Sequence, residues 1–196
     1  MVNTVDINYP FPNKTVIKTK TNYKVNKSQG MLFENALNIS NEYYIKHKKA
    51  NIHKKPTPIQ VVKVDYPSRN KAKIVEAYYK LPSTTDYNGI YNKKYIDYEA
   101  KETSNSAFYF KFIFEHQVKH LLDIDELGGI AFVIILFKKY NEVYLIDVKD
   151  FNRYYSSPNY KSITIEMAKQ IGKPCPLGYT PPIDYLKTVD EMYFNK

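Results

Sequence analysis

Gly128-Gly129 is followed by eight apolar residues without interruption, Ile130 to Phe137. The run is less than half of the roughly 20 residues that a membrane-spanning helix needs. Preceded by two glycines, followed by two lysines and rich in Ile, Val and Phe, it reads as a central strand covered on both faces. A chain built around such a strand must lay protein above and below one sheet. An α/β plan with a mixed sheet flanked by helices is therefore the expectation.

The remaining segments supply the layers. From Met31 to about His47 the apolar period is helical, with Leu32, Ala36, Ile39 and Tyr43 on one stripe, Ser28 as N-cap and Glu34 in the first turns. An acid there suits the helix dipole; its functional alternative is to face the site across the core. Ala50 to Lys55 is a short extended segment ended by Pro56-Thr57-Pro58. Ile59 to Tyr66 and Lys73 to Lys80 read as two strands around Pro67-Ser68-Arg69-Asn70. Their polar alternation leaves little purely apolar surface, so they are expected to project as a basic stalk, at about residues 54–82. A second helix, roughly Phe112 to Glu126, places Ile113, Gln117, Leu121 and Ile124 on one face. An inward amide such as Gln117 ordinarily caps or bridges buried backbone. Glu142 to Val148 reads as a strand. Ser162 to Ile171 and Ile183 to Phe194 read as helices around a Pro-rich link that holds Cys175.

With 196 residues, one domain over residues 28–196 is the default, preceded by a flexible basic arm at 1–27. A lone cysteine excludes a disulfide framework and any Cys-based zinc cluster. The N-terminus lacks an apolar segment followed by a small-residue cleavage motif, so the expected location is the cytoplasm, with no membrane partner. Net charge is +9, and its distribution is uneven. Residues 1–82 hold fourteen Lys and one Arg against five acids, a net of +10; the remainder is −1. A polyanion is the natural partner of such a surface. Lys54, Lys55, Lys63, Arg69, Lys71 and Lys73 are the expected contacts, with Tyr66, Tyr78 and Tyr79 able to stack on opened bases. Only Arg69 and Arg153 are arginines, so backbone and shape recognition fit better than base reading.

The chemistry is concentrated in residues 83–103. The segment reads as a short strand, a turn near Tyr91-Asn92-Lys93, and a strand from Tyr95 to Thr103. Alternation puts Asp97, Glu99, Lys101 and Thr103 on one face and Ile96, Tyr98 and Ala100 on the other. Pairing of the two strands brings Asp86 towards the acids, a metal-dependent nuclease pattern of Asp, twelve residues, then Glu-x-Lys. His116 and His120 are spaced for zinc, but no Cys or acidic third ligand accompanies them.

Longer words carry a more specific resemblance. Lys54 to Pro67, Ser83 to Gly89 and Tyr95 to Thr103 closely resemble the RecU family of Holliday-junction resolvases, as do Gly30 to Glu34 and Glu115-His116-Gln117. The resemblance spans roughly residues 28 to 150. It implies a restriction-endonuclease-like PD-(D/E)xK core with a protruding stalk, a homodimer, and Mg²⁺-dependent cutting of four-way DNA junctions, with Mn²⁺ as a substitute. By motif position Asp86 and Glu99 are metal ligands, Thr84 and Gln117 complete the site, and Lys101 is the catalytic lysine; Arg69 falls where the family has an important stalk arginine. The N-terminal arm matches in character the family segment linked to the recombinase RecA. Gln29 stands where the family usually has Arg, and the stretch between Glu99 and Gln117 is one residue shorter. The rivals are a non-catalytic junction- or duplex-binding protein, and a restriction-like endonuclease acting on linear DNA.

Overall fold

A computed structural model describes residues 33–68, 71–80 and 84–194. The expected arm at 1–27, Ser28, Gln29, Gly30 to Leu32, Arg69 and Ser83 fall outside the described residues. The chain runs α1 (Phe33–Lys46), β1 (Ala50–Lys54), β2 (Ile59–Asp65), β3 (Lys73–Tyr79), β4 (Tyr87–Tyr91) and β5 (Lys94–Thr103). Then come β6 (Ala107–Tyr109), α2 (Glu115–Glu126), β7 (Ile130–Phe137), β8 (Glu142–Asp147) and α3 (Val148–Tyr155). It closes with β9 (Ser162–Thr164), α4 (Ile165–Ile171), β10 (Lys173–Pro174) and α5 (Tyr185–Val189), the last continuing as a π-turn to Phe194.

The main sheet has six strands in the order β1-β4-β5-β7-β8-β10. Only β5 and β7 pair parallel; every other neighbour is antiparallel, so the sheet is mixed as expected. The apolar run forms β7 at the bounds read from the sequence, and its alternation feeds two cores. Ile130, Phe132 and Ile134 pack under α1 and α5, with Leu37, Tyr98 and Tyr185. Ala131, Val133 and Ile135 pack on the other side with Val118 and Leu121 of α2 and Phe151 of α3. Among the described residues no helix is long and apolar enough to cross a membrane.

Across the sheet, Tyr87, Tyr98 and Phe132 are register partners on β4, β5 and β7. Their rings stack at 4.8 and 4.9 Å between centroids, nearly parallel. Each such pair adds on the order of 1 kcal/mol beyond burial. The ladder also fixes register, and a one-residue slip of β5 would turn Glu99 to the opposite face. Asn92 and Lys93 both have positive φ, 45° and 64°, so the β4–β5 turn is a two-residue hairpin loop whose twist matches the strands.

Four expectations need correction. The buried stripe of α1 is Phe33, Ala36, Leu37, Ser40, Asn41 and Tyr44, one position away from Ile39 and Tyr43. Polar Ser40 and Asn41 go inside because they have partners: Ser40 Oγ donates to Ala36 O and accepts from Ile183 N, while Asn41 takes the Tyr185 hydroxyl. The second helix starts at Glu115, after a 3-10 turn at Phe110–Phe112. Ser162–Thr164 is a strand, paired with β6, before Thr164 caps α4 by accepting from Met167 N. Finally α3 was not expected; Asp147 starts it by accepting from Lys149 N at 2.8 Å.

The β2–β3 pair forms a sheet of its own, apart from the main one. Nearly all of its residues are exposed, including Val62, Ile74, Val75, Tyr78 and Tyr79. This is the projecting ribbon expected from the sequence, carrying Lys63 and Lys73 on its strands and Lys71 at its tip.

Candidate active site

β5 lies between β4 and β7, with Ile96 and Tyr98 towards α1 and Asp97 and Glu99 towards α2. Both carboxylates are fully buried, at 0% exposure. Asp86 comes one residue before β4. Extending the β4–β5 register sets Ala100 opposite Thr85, beyond the end of the paired strand. Asp86 Oδ2 accepts the Ala100 N–H at 3.0 Å, so the carboxylate stands in for missing strand backbone. That bond fixes Asp86 beside Glu99.

Glu99 has an asymmetric environment. Its Oε1 accepts from Gln117 Nε2 at 2.7 Å and faces Lys101 Nζ at 2.5 Å. Its Oε2 is buried with no hydrogen-bond partner, the one such side-chain atom among the described residues. Burial first, and then the charge of Asp86, push the Glu99 carboxyl up to about 7, against the opposing pull of Lys101 and Gln117. A buried oxygen left unpaired costs about 1–3 kcal/mol, so its persistence needs an explanation. A hard divalent cation supplies one. Glu99 Oε2 and the Asp86 carboxylate are the oxygen donors that Mg²⁺ prefers, with waters completing the shell. The residues present therefore fit the metal.

Asp97 is the opposite case. It accepts from Lys55 Nζ at 2.8 Å, Tyr95 OH at 2.9 Å and Thr85 Oγ1, and lies 3.2 Å from His120 Nε2. Both oxygens are partnered, Oδ1 by Thr85 and Oδ2 by the other three groups. Its supporting place, anticipated from the shared strand face, is that of a hub joining the residue after β1, the segment before β4, β5 and α2.

Among the residues expected to act, Asp86, Glu99, Lys101 and Gln117 come together. Gln117 Oε1 accepts from Phe114 N at 3.1 Å at the start of α2, while its amide nitrogen holds Glu99. As placed, Gln117 orients the carboxylate. Thr84 is exposed at the rim, its hydroxyl accepting from Lys55 Nζ at 3.1 Å. Glu34 does not face the site; it is exposed and forms an ion pair with Lys54. Lys55, grouped from the sequence with the stalk lysines, turns inward, with 14% of its side chain exposed. His116 stacks on Phe114, and His120 joins Asp97. Among the described residues no metal-holding group of three or more His, Cys, Asp or Glu side chains is found. Tyr95 and Thr85 were missed; the parity of Tyr95 with Asp97 was the available signal.

The family model for recombination protein U matches residues 28–191. Holliday junction resolvase RecU of Bacillus cereus is 47% identical over 188 residues, covering 94% of this chain and 92% of that protein. The chain belongs to the RecU family. RecU proteins of Bacillus thuringiensis and Bacillus anthracis match with the same identity and coverage. Among solved structures, the Holliday junction resolvase Hjc of Archaeoglobus fulgidus aligns with a TM-score of 0.40 and 11% identity, covering 67% of this chain and 88% of that one. Within a RecU chain, then, the match runs through α5, beyond the segment that carried the sequence resemblance.

Proposed function

We propose that this chain is an endonuclease that resolves Holliday junctions in DNA recombination and repair, using Mg²⁺, or Mn²⁺ in its place, held by Asp86 and Glu99. The observation that carries the metal assignment is Glu99 Oε2, fully buried, unpartnered and next to a second carboxylate. Membership of the RecU family supports the substrate.

A cation held by Asp86 and Glu99 would neutralise phosphate charge and make a bound water a better nucleophile. The protein's own groups do the rest. Gln117 and the strand backbone keep the two carboxylates converged. Lys101, with its ammonium half-buried against Glu99, offers positive charge to the phosphoryl oxygens as negative charge develops on them. Thr84 and Gln117 are assigned, on the family resemblance, as weaker members of the same metal site. The β2–β3 ribbon, with Lys63, Lys71, Lys73 and, from the sequence, Arg69, is assigned to the opened centre of the junction, where backbone and shape are read.

Two symmetric nicks require two such centres, which we assign to a homodimer. The exposed apolar side chains of the ribbon support an assembled form, since a surface of that kind ordinarily meets a partner. The basic segment at 1–27 is assigned, on the family resemblance, to contact with the recombinase RecA. Action on chromosomal junctions implies a cytoplasmic location.

The test is a labelled four-way junction and a linear duplex of the same sequence, incubated with the protein with and without Mg²⁺. Paired nicks confined to the junction and to the Mg²⁺ lanes are expected. Junction binding without nicks would leave a DNA-binding protein, and equal cutting of linear duplex would leave a restriction-like enzyme.

A further inference from the structure

Lys55 is the last residue before the Pro56-Thr57-Pro58 link into the ribbon, and a lysine there is expected to meet DNA. Its ammonium instead contacts Asp97 Oδ2 at 2.8 Å, Thr85 Oγ1 at 2.5 Å, Thr84 Oγ1 at 3.1 Å and His120 Nε2 at 3.4 Å. Its backbone N–H donates to Asp86 O at 2.7 Å. One residue thus grips Thr84, Thr85 and Asp86 in succession and ties them to β5 through Asp97 and to α2 through His120.

That grip has a consequence for the catalytic carboxylate. β4 begins at Tyr87, so residues 84–86 have no place in the ladder of the main sheet. Asp86 is held on β5 by one bond, from Ala100 N, and by the bond from Lys55 N just beyond β1. A metal-holding pair must be held to within about half an ångström of its working geometry. The partly buried ammonium, with Asp97 as its counter-charge, removes the freedom the segment would otherwise have.

We propose that Lys55 is a positioning residue of the nuclease centre, clamping Thr84–Asp86 against β5 so that Asp86 stays beside Glu99. The proposal builds on the assignment of Asp86 and Glu99 above. The ammonium does not itself contact the scissile phosphate, and its loss leaves junction binding in place.

The experiment compares wild type with Lys55→Met by three measurements. Amide hydrogen exchange on the metal-free protein reads Ala100, whose N–H is the one held by Asp86, with Ile134 of β7 as the reference for the intact sheet. Single-turnover cutting of pre-bound junction in Mg²⁺ and junction affinity in the Glu99→Gln background complete the set. In Lys55→Met, Ala100 exchange is expected to rise at least tenfold with Ile134 unchanged. Cutting is expected to fall at least tenfold, with affinity within twofold. Unchanged Ala100 exchange overturns the proposal, as does a loss of affinity that matches the loss of cutting. If Ile134 also loses protection, the same criteria apply to Lys55→Gln, which keeps a polar, uncharged donor on a shorter stem and should show an intermediate loss; unchanged Ala100 exchange there overturns the proposal too. The exchange measurement needs no cutting, so a wild type that fails to nick junctions would sink the nuclease assignment and leave the clamp separately tested.

Discussion

Glu99→Gln separates the two roles of this carboxylate, because the substitution keeps shape and removes charge. Folding carries the Glu99 pKa from an ordinary 4.5 up to about 7. The folded protein therefore binds this proton more tightly than the unfolded chain does. The stability that goes with it is complete below pH 4.5 and is lost as pH rises towards 7. The distance between the two values corresponds to about 3 kcal/mol, which is the cost of holding Glu99 ionised in the metal-free protein at pH 8. Glutamine does not bear that cost. Its amide nitrogen brings an unpaired donor where Oε2 was, but that penalty is the same at every pH. The difference in unfolding free energy between Glu99→Gln and wild type should thus become more favourable to the variant by about 3 kcal/mol between pH 4.5 and pH 8. In a domain of this size that is on the order of 6–12 °C in melting temperature. Urea unfolding at the two pH values, with EDTA present, measures it. Mg²⁺ at about a hundred times its Kd should then restore about 2.7 kcal/mol to wild type at pH 8 and nothing to the variant. A difference that does not move with pH, or a variant stabilised by Mg²⁺ as much as wild type, would refute the reasoning.

Lys101→Ala should cut junctions at least a hundredfold more slowly while binding them normally, as followed by single-turnover cleavage beside a gel-shift titration. Because Lys101 also favours the ionised form of Glu99, the same variant should need a higher pH to reach its half-maximal rate. Replacing Lys63, Lys71 and Lys73 together with Ala should weaken junction binding and reduce the slope of log affinity against log salt by up to about 3, since each phosphate contact contributes about 0.9. An unchanged slope would take the ribbon out of the DNA interface.

The sequence was most legible where a residue's neighbours along the chain decide its environment. β7 could be bounded because glycines and a continuous apolar run leave one interpretation. The faces of β5 followed from alternation, so Asp97 and Glu99 could be placed together before any fold was known. What resisted reading depends on strand order. Nothing local says that β1 lies against β4, and without that pairing Lys55 looks like one more lysine of a basic stretch. The α1 stripe slipped because Ser40 and Asn41 count as polar. They are buried by virtue of partners on Tyr185 and Ile183, more than a hundred positions away. Helix α3 was hidden for a related reason: its first residue, Val148, reads as the end of a strand, and only the Asp147 cap separates the two.

Asp97 and Glu99 share a strand, a face and complete burial, and they differ in how far their oxygens are satisfied. Asp97 is enclosed by the Lys55, Thr85 and Tyr95 donors, with His120 alongside, and nothing about it invites a ligand. Glu99 has donors on one oxygen only. Evolution of a fold for stability alone would supply the second oxygen with a donor, and a hydroxyl like that of Thr85 shows that this face of the sheet can provide one. The missing donor, and the raised pKa that accompanies it, make the metal-free centre less stable than its surroundings. The aromatic ladder of Tyr87, Tyr98 and Phe132 on the reverse face of the same strands resists that strain, because the β5 backbone at Glu99 cannot shift without disturbing the stack. On the assignment proposed above, an unsatisfied carboxylate held in place by a rigid opposite face would be a preorganised ligand, able to receive a cation in exchange for a proton without reshaping the backbone.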